Sequence, residues 1–254
     1  MLIDSHTHLT DEKFSEDRHE ILGALNDNGV EIILNPSCNL EESRLAIELA
    51  EKYSYVYAGI GFYPNELDDM NYEKLAELKK LAEHEKVIAI GEIGLDYYWD
   101  DSKKDLQKKW FREQIRLANE LDLPYIVHNR DAHGDTLAIM TEEKKENTRG
   151  ILHCFSGSVE LAQDFIKLGF LISLAGPVTF KNSKMAKKVA TEIPLEYLLI
   201  ETDAPYLTPE PFRGKRNEPK NVRYVAEQIA ILKGISYDRV VDATANNFRR
   251  LFNL

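Results

Sequence analysis

The segment VIAIGE, residues 87–92, gives the clearest indication of the fold class. Its apolar residues form a nearly continuous run, which is typical of a strand buried on both faces of a parallel sheet. Similar runs recur along the chain, and segments with apolar residues three and four positions apart separate them. The predicted strands are residues 2–5, 30–35, 55–59, 87–91, 124–128, 150–153, 170–174 and 197–201. The predicted helices are residues 16–28, 40–52, 72–83, 103–121, 135–145, 158–168, 182–191, 220–233 and 237–252.

Eight strands that alternate with helices over about 250 residues predict an α/β protein with a (β/α)8 TIM barrel. We expect the barrel to be slightly distorted, with an extra C-terminal helix. A doubly wound open sheet is the competing architecture, but the chain contains neither a GxGxxG motif nor a Walker loop. Because no linker or low-complexity tract divides the sequence, residues 1–254 are expected to form a single domain.

Composition restricts the class of protein and its partners. The net charge is −11, from 43 acidic and 32 basic residues, which argues against indiscriminate binding of nucleic acid. A polyanionic substrate must therefore meet a local basic patch or metal ions. No apolar run approaches the roughly 18 residues of a membrane span, and the start of the chain does not resemble a secretory signal. Two cysteines are compatible with a reducing compartment, so the prediction is a cytoplasmic protein without membrane association.

Polar side chains follow five of the predicted strands. The strands end in DSHTHL (residues 4–9), AIGEIGLDYY (89–98), PYIVHNRDA (124–132), GILHCFSG (150–157) and LLIETDAP (198–205). The carboxyl ends of barrel strands carry the catalytic residues. The donors there are His6, His8, Glu92, His128, His153 and Asp203. Because one zinc ion takes three or four protein ligands, this set suits two divalent ions that share a bridging carboxylate.

The motifs DSHTHL, GEIGLDYY, HNRDA, HCFSG, ETDAPYL and PFRGKRNEP resemble, in order, the signature motifs of the TatD family of metal-dependent deoxyribonucleases. That family belongs to the amidohydrolase superfamily of metal-dependent TIM barrels. The motifs extend from residue 4 to residue 219, so the resemblance covers essentially the whole chain. It implies that the six donors are metal ligands. One position departs from the family, because Tyr63 of GFYPN stands where the family often has histidine.

Chemistry and resemblance together assign roles to the donors. Glu92 is predicted to bridge the two ions, His6, His8 and Asp203 to complete one site, and His128 and His153 to complete the other. Two such ions can clamp the attacking and leaving oxygens of a phosphoryl transfer and lower the pKa of a bound water. Asp203 is expected to act as general base as well as ligand. Mixed imidazole and carboxylate ligation leaves zinc, manganese and magnesium open.

Basic and aromatic residues near the predicted rim are candidates for substrate binding. Arg130 can bind a phosphate in a bidentate manner, although a structural salt bridge to Asp131 or Glu92 is the alternative. The segment FRGKRNEPK supplies a basic cluster in the loop after strand eight, where barrel enzymes often bind phosphate. The alternative is that this segment is only a solvated surface loop. Four aromatic residues can stack on bases, although three of them, Tyr97, Tyr98 and Trp99, can equally cap the barrel or pack under a helix. The cluster is Arg213, Lys215, Arg216 and Lys220, and the aromatic residues are Tyr63, Tyr97, Tyr98 and Trp99.

These features predict a metal-dependent hydrolase that cleaves DNA phosphodiester bonds with a metal-activated water. The resemblance implies a 3′-to-5′ exonuclease acting on single-stranded ends. Hydrolysis of an ester or amide, such as deacylation of a D-aminoacyl-tRNA, is the alternative, because the same hydroxide can attack a carbonyl carbon. A non-catalytic binding barrel is disfavoured, because every donor and the candidate base are present.

Overall fold

The computed structural model describes residues 1–99 and 102–254. Its parallel strands follow chain order in the sheet, from β1 to β8, and alternate with helices. The strands are β1 (Leu2–Asp4), β2 (Val30–Asn35), β3 (Val56–Ile60), β4 (Val87–Asp96), β5 (Tyr125–Arg130), β6 (Gly150–Leu152), β7 (Phe170–Leu174) and β8 (Leu198–Ile200). The predicted (β/α)8 barrel class is thereby confirmed.

Nine α-helices lie within these described ranges, and two of them follow β8. The second of the two is the extra C-terminal helix that the sequence predicted. The helices are α1 (Arg18–Gly23), α2 (Leu40–Lys52), α3 (Tyr72–Leu81), α4 (Lys104–Glu120), α5 (His133–Glu142), α6 (Val159–Lys167), α7 (Lys184–Glu192), α8 (Val222–Lys233) and α9 (Tyr237–Phe252). No helix in residues 1–99 or 102–254 is long and apolar enough to cross a membrane.

Local capping explains why several helices begin where the sequence predicted. The side chains of Asn39, Asn71 and Ser236 accept hydrogen bonds from backbone N–H groups in the first turns of α2, α3 and α9. Such caps satisfy donors that have no partner within the helix. The prediction for the fourth strand was too short, because β4 continues five residues beyond Gly91, to Asp96.

Contacts divide the described chain into two compact units. The first comprises Met1–Asn35, Cys154–Ile166 and Leu171–Leu254. Within it β1 pairs with β2, and β7 pairs with β8. The backbone N–H of Ser5 donates to the carbonyl of Ile200 at 3.1 Å, which joins the end of β1 to β8. Helices α8 and α9 pack against β1 and β8.

The second unit comprises Pro36–His153 and Lys167–Phe170 and contains β3 to β6. Helix α4 packs on β4, and its Trp110 and Phe111 are buried. Gly94 is required where β4 meets β5, because its φ is +148° and an added Cβ would lie 1.9 Å from the carbonyl oxygen of His128. The absence of a side chain at Gly94 therefore allows the two strands that carry Glu92 and His128 to approach each other.

Candidate metal-binding clusters

The first unit contains a cluster of three predicted ligands, His6, His8 and Asp203, which we call the His6 cluster. The Nε2 atoms of the two imidazoles are 3.0 Å apart. Oδ1 of Asp203 lies 3.7 Å from Nε2 of His6 and 3.4 Å from Nε2 of His8. Both histidines are buried. Two nitrogens and one carboxylate oxygen thus converge on a single small volume.

Backbone pairing beyond the strand ends brings the His6 cluster together. The N–H of Asp203 donates to the carbonyl of His6 at 2.9 Å, and the N–H of His8 donates to the carbonyl of Ala204 at 2.8 Å. Asp203 has a φ of +55°, in the left-handed region that few residues other than glycine adopt. Such a conformation persists only where the surroundings impose it. The two adjoining hydrogen bonds provide that constraint.

Asp4 lies beneath the His6 cluster and was not recognised as functional from the sequence. Its carboxylate accepts hydrogen bonds from the backbone N–H of Thr202 at 2.9 Å and the hydroxyl of Thr202 at 2.5 Å. Complete burial raises the pKa of Asp4 well above its ordinary value, although the Thr202 hydrogen bonds act in the opposite direction. Asp4 therefore connects β1 to the segment that carries Asp203.

The second unit contains the other predicted ligands, Glu92, His128 and His153, which we call the Glu92 cluster. Oε1 of Glu92 lies 2.8 Å from Nδ1 of His128 and 3.0 Å from Nε2 of His153. The two imidazole nitrogens are 3.3 Å apart. Glu92 and His153 are buried, and the side chain of His128 is 13% exposed. This cluster also presents two nitrogens and a carboxylate oxygen.

Asp96 orients His128 from the side opposite Glu92. Its Oδ2 atom lies 2.9 Å from Nε2 of His128 and accepts the hydroxyl hydrogen bond of Tyr63 at 3.0 Å. A hydrogen bond from Nε2–H to Asp96 leaves Nδ1 as the nitrogen that can bind a metal. Gln107 of α4 fixes the backbone of Asp96 in turn, through two 2.9 Å hydrogen bonds.

Electrostatic effects in the Glu92 cluster are consistent with this orientation. Burial lowers the pKa of His128, but its hydrogen bonds with Asp96 and Glu92 outweigh burial and raise the pKa above the ordinary value. Burial raises the pKa of Asp96, but the hydrogen bonds from His128 and Tyr63 lower it overall. Burial and the nearby carboxylates raise the pKa of Tyr63, so the phenol remains protonated and donates.

Sequence reasoning missed Asp96 because the predicted strand stopped at Gly91. Within β4, residues 92, 94 and 96 share one face, since side chains alternate along a strand. Glu92 and Asp96 therefore both face His128. A longer strand assignment for GEIGLDYY would have placed both carboxylates on the same side.

The donor spacing in both clusters fits a bound metal ion. Ligand atoms about 2.1 Å from one metal lie roughly 3.0 Å apart for octahedral angles and 3.4 Å apart for tetrahedral angles. The measured separations are 3.0–3.7 Å in the His6 cluster and 2.8–3.3 Å in the Glu92 cluster. The atoms of each cluster lie within 4.8 Å of one another. Either cluster can thus hold a divalent cation with little rearrangement.

The structure places the predicted substrate contacts of the second unit in distinct environments. The guanidinium of Arg130 lies 3.8 Å from the ring centroid of Tyr98, and the predicted alternative, a salt bridge to Asp131 or Glu92, does not occur in the described chain. Trp99 is 67% exposed. The hydroxyl of Tyr97 donates to Asp135 at 2.7 Å. Tyr63 packs edge-on against His128, with ring centroids 4.8 Å apart, so it borders the Glu92 cluster.

The basic cluster of the first unit is partly engaged by protein groups. The Nη1 atom of Arg216 donates a hydrogen bond to Oδ1 of Asp17 at 2.9 Å and another to the carbonyl oxygen of Lys13 at 2.8 Å. The Nζ atom of Lys215 lies 5.6 Å from the ring centroid of Phe212, and the guanidinium of Arg213 lies 4.3 Å from that of Phe180. Arg213 and Lys215 are therefore more available to a ligand than Arg216.

A (β/α)8 fold whose strand ends present clusters of histidine and carboxylate donors defines the class of metal-dependent hydrolases. Comparison with known proteins identifies the family within that class. Residues 3–253 match the model of the family described as TatD-related DNase, and the chain belongs to that family.

Individual relatives agree with this assignment. The chain is 50% identical over 254 residues to YabD of Bacillus subtilis, described as an uncharacterized metal-dependent hydrolase, and each protein covers 100% of the other. The crystal structure of YjjV, a TatD homologue from Escherichia coli K12, superposes with a TM-score of 0.94 at 33% identity, covering 100% of this chain and 98% of YjjV. A TatD family hydrolase from Entamoeba histolytica gives a TM-score of 0.86 at 29% identity, with 99% and 97% coverage.

Proposed function

We propose that this metal-dependent hydrolase uses two divalent cations to cleave DNA phosphodiester bonds, as a 3′-to-5′ exonuclease on single-stranded ends. The observation that carries the proposal is the donor spacing in the two clusters, since each offers three atoms at separations suited to one cation. Magnesium, manganese and zinc all accept this mixture of imidazole and carboxylate donors. The nuclease activity follows the family description, and the strand polarity follows the family resemblance.

When bound, the cations would polarise the phosphate and lower the pKa of an attacking water. Asp203 would accept a proton from that water while the water oxygen bonds to phosphorus. The bond between phosphorus and the leaving nucleoside oxygen breaks, and the proton passes to that oxygen. Asp96 would hold His128 in the tautomer that leaves Nδ1 able to bind metal.

Exposed aromatic and basic groups support a single-stranded nucleic acid as substrate. Tyr98 and Trp99 are 54% and 67% exposed, and Arg130 stacks on them. Aromatic rings and arginine planes bind unpaired bases through stacking, which tolerates any sequence. Arg213, Lys215 and Arg216 would contact backbone phosphates, and Tyr63 and Tyr97 would border the substrate near the Glu92 cluster.

The domain organisation and location belong to the same proposal. The family match extends from residue 3 to residue 253, across both compact units. This supports one hydrolase domain formed by residues 1–254. A cytoplasmic location is part of the proposal, because a chain with only two cysteines suits a reducing compartment.

Elemental analysis tests the metal requirement. Protein stripped with chelator and reloaded separately with magnesium, manganese or zinc should saturate near two equivalents per chain. A Glu92→Ala variant should lose one equivalent if Glu92 serves one cation, and should weaken both if it is the predicted bridge. Saturation of the intact chain at one equivalent would exclude the two-metal mechanism.

Turnover of labelled substrates tests the reaction. Single-stranded oligomers labelled at the 5′ end should give a ladder that shortens from the 3′ end, and 3′-labelled oligomers should release labelled mononucleotide first. A D-aminoacyl-tRNA and a panel of simple esters, assayed with the same metal-loaded protein, test the acyl alternative. Hydrolysis of those substrates without any DNA ladder would overturn the nuclease assignment in favour of the alternative.

A further inference from the structure

A pocket of about 380 Å³ lies within the first unit, at the start of α8. Residues of the loop 212–221, the first turn of α8 and residues 27–28 before β2 line it. The volume is near the lower end of the roughly 300–1,000 Å³ of small-molecule pockets, which suits one compact ligand. Neither the predicted metal ligands nor Asp4 line this pocket.

Two aromatic rings, Phe212 and Tyr224, form an apolar part of the wall. They are half-buried, and their centroids lie 5.4 Å apart at an interplanar angle of 64°. A base can stack on an aromatic ring face. Lys215 and Arg223 lie over the two rings, 5.6 and 5.4 Å from the centroids of Phe212 and Tyr224, so their positive charges adjoin any group that stacks there. The pocket therefore offers a place for an aromatic group.

Positive charge surrounds this aromatic pair. Lys215, Arg216, Lys220 and Arg223 line the pocket, against two acidic residues, Asp27 and Glu218. A local excess of basic residues is unusual in a chain with a net charge of −11. The N-terminus of α8, a helix of 12 residues, adds partial positive charge, and its N-cap Asn221 makes no side-chain capping hydrogen bond.

The basic residues differ in their availability to a ligand. Asp17 and Glu218 already engage Arg216 and Lys220. Arg223 pairs with Glu227 at 3.2 Å, but both side chains are exposed, and solvent weakens such ion pairs. Lys215 contacts no carboxylate in the described chain. Lys215 and Arg223 can thus bind an anion with the least competition.

We propose that this pocket is a nucleotide-binding site, in which a base stacks on Phe212 and Tyr224 while its phosphate contacts Lys215 and Arg223. The ligand is either a free mononucleotide or one nucleotide of a single strand. The second form rests on the proposed function, because it would hold part of the substrate. The pocket itself requires no metal, so its occupancy is separable from turnover.

Chelator-treated protein tests the pocket without contribution from the metal clusters. Equilibrium dialysis should show that dAMP binds at least tenfold more tightly than either deoxyadenosine or inorganic phosphate. Phe212→Leu and Tyr224→Leu should each weaken dAMP binding at least fivefold. Lys215→Ala and Arg223→Ala should weaken dAMP but leave deoxyadenosine binding unchanged. Lys109→Ala is the matched control, because this exposed lysine also lies over aromatic rings, those of Tyr72 and Trp110, and should have no effect.

Other binding results would overturn the proposal or identify the ligand. Equal binding of phosphate and dAMP would overturn the proposal, as would dAMP affinity that neither aromatic substitution changes. A short oligothymidylate whose affinity falls in the same variants identifies the ligand as part of a strand, whereas an unaffected oligomer identifies it as a free nucleotide. If the unmodified protein binds dAMP but the metal-loaded form gives no DNA ladder, only the proposed function is rejected. If it gives the DNA ladder but does not bind dAMP, only the nucleotide pocket is rejected.

Discussion

The His6 cluster and the Glu92 cluster offer similar donor atoms but are held by different means. Backbone hydrogen bonds between the segments that follow β1 and β8 bring His6, His8 and Asp203 together. In the Glu92 cluster, side chains from β4 and the loop after β3 orient His128 through Asp96 and Tyr63. Substitutions can therefore alter the orientation of His128, whereas the backbone around Asp203 depends on the fold of its unit.

The two clusters also differ in the hydrogen bonds that their supporting carboxylates, Asp96 and Asp4, accept. Asp96 receives hydrogen bonds from three kinds of group, namely an imidazole, a phenol and backbone amides. Beneath the His6 cluster, Asp4 accepts its closest hydrogen bonds from Thr202 alone. We expect single substitutions around Glu92 to act on metal affinity, and those beneath His6 to act on folding stability.

The largest expected effect concerns Asp203. Asp203→Asn keeps the size and one oxygen donor but removes the proton acceptor, so turnover of DNA should fall by roughly 10²–10⁴, the usual contribution of a general base. Steady-state assays should be combined with elemental analysis, because part of the loss will come from weaker metal binding. Asp242→Asn, an exposed position on α9, is the control. Full turnover with full metal content would show that Asp203 is not the base.

Asp96 should produce the next largest effect. Asp96→Asn removes the carboxylate that accepts from His128, and loss of such a partner typically costs 10–100-fold in metal affinity or activity. Metal titration should then show weaker binding of the metal ion at the Glu92 cluster and unchanged binding of the metal ion at the His6 cluster. Asp122→Asn removes an exposed carboxylate that also accepts side-chain hydrogen bonds, from Arg149 and Asn147, and should leave both equivalents intact. Two intact equivalents in Asp96→Asn would contradict the orienting role.

A smaller effect, on stability, is expected beneath the His6 cluster. Thr202→Val keeps the side-chain shape but leaves the buried carboxyl of Asp4 without one hydrogen bond, which should lower the free energy of unfolding by about 1–3 kcal/mol. Urea denaturation of chelator-treated protein measures this change without a metal contribution. Thr141→Val removes an exposed hydroxyl that bonds within α5 and should change stability by less than about 0.5 kcal/mol. Equal stabilities of the two variants would show that the Thr202 contact is dispensable.

The smallest effect is expected at Tyr63. Tyr63→Phe keeps the ring against His128 but removes the hydroxyl hydrogen bond to Asp96, which contributes about 0.5–1.5 kcal/mol. The affinity of the Glu92 cluster for its metal ion should fall by about two- to tenfold. Tyr57→Phe, on β3, should leave it unchanged. An effect as large as that of Asp96→Asn would mean that Tyr63 has a direct role in the cluster.

The fold class and the residue types at the strand ends could be predicted from local sequence patterns. Alternating apolar runs and amphipathic segments predicted eight strands, and β2, β7, α2 and α9 have the predicted bounds. Residue type and position at strand ends selected His6, His8, Asp203 and the members of the Glu92 cluster, because parallel strands carry their functional residues at one end. Local apolar periodicity, together with the residue types at strand ends, is sufficient to predict the strands and the candidate ligands.

The partners of these residues depend on contacts between distant parts of the chain. Asp96 and His128 are 32 positions apart in the chain, and Asp4 and Thr202 are 198 positions apart. Local patterns cannot predict which side chains meet over such separations, because the packing of whole elements decides it. The same reason applies to Arg216, which pairs with Asp17, and to Arg130, which stacks on Tyr98. Residue chemistry is a local property of the sequence, whereas orientation and charge pairing depend on long-range contacts.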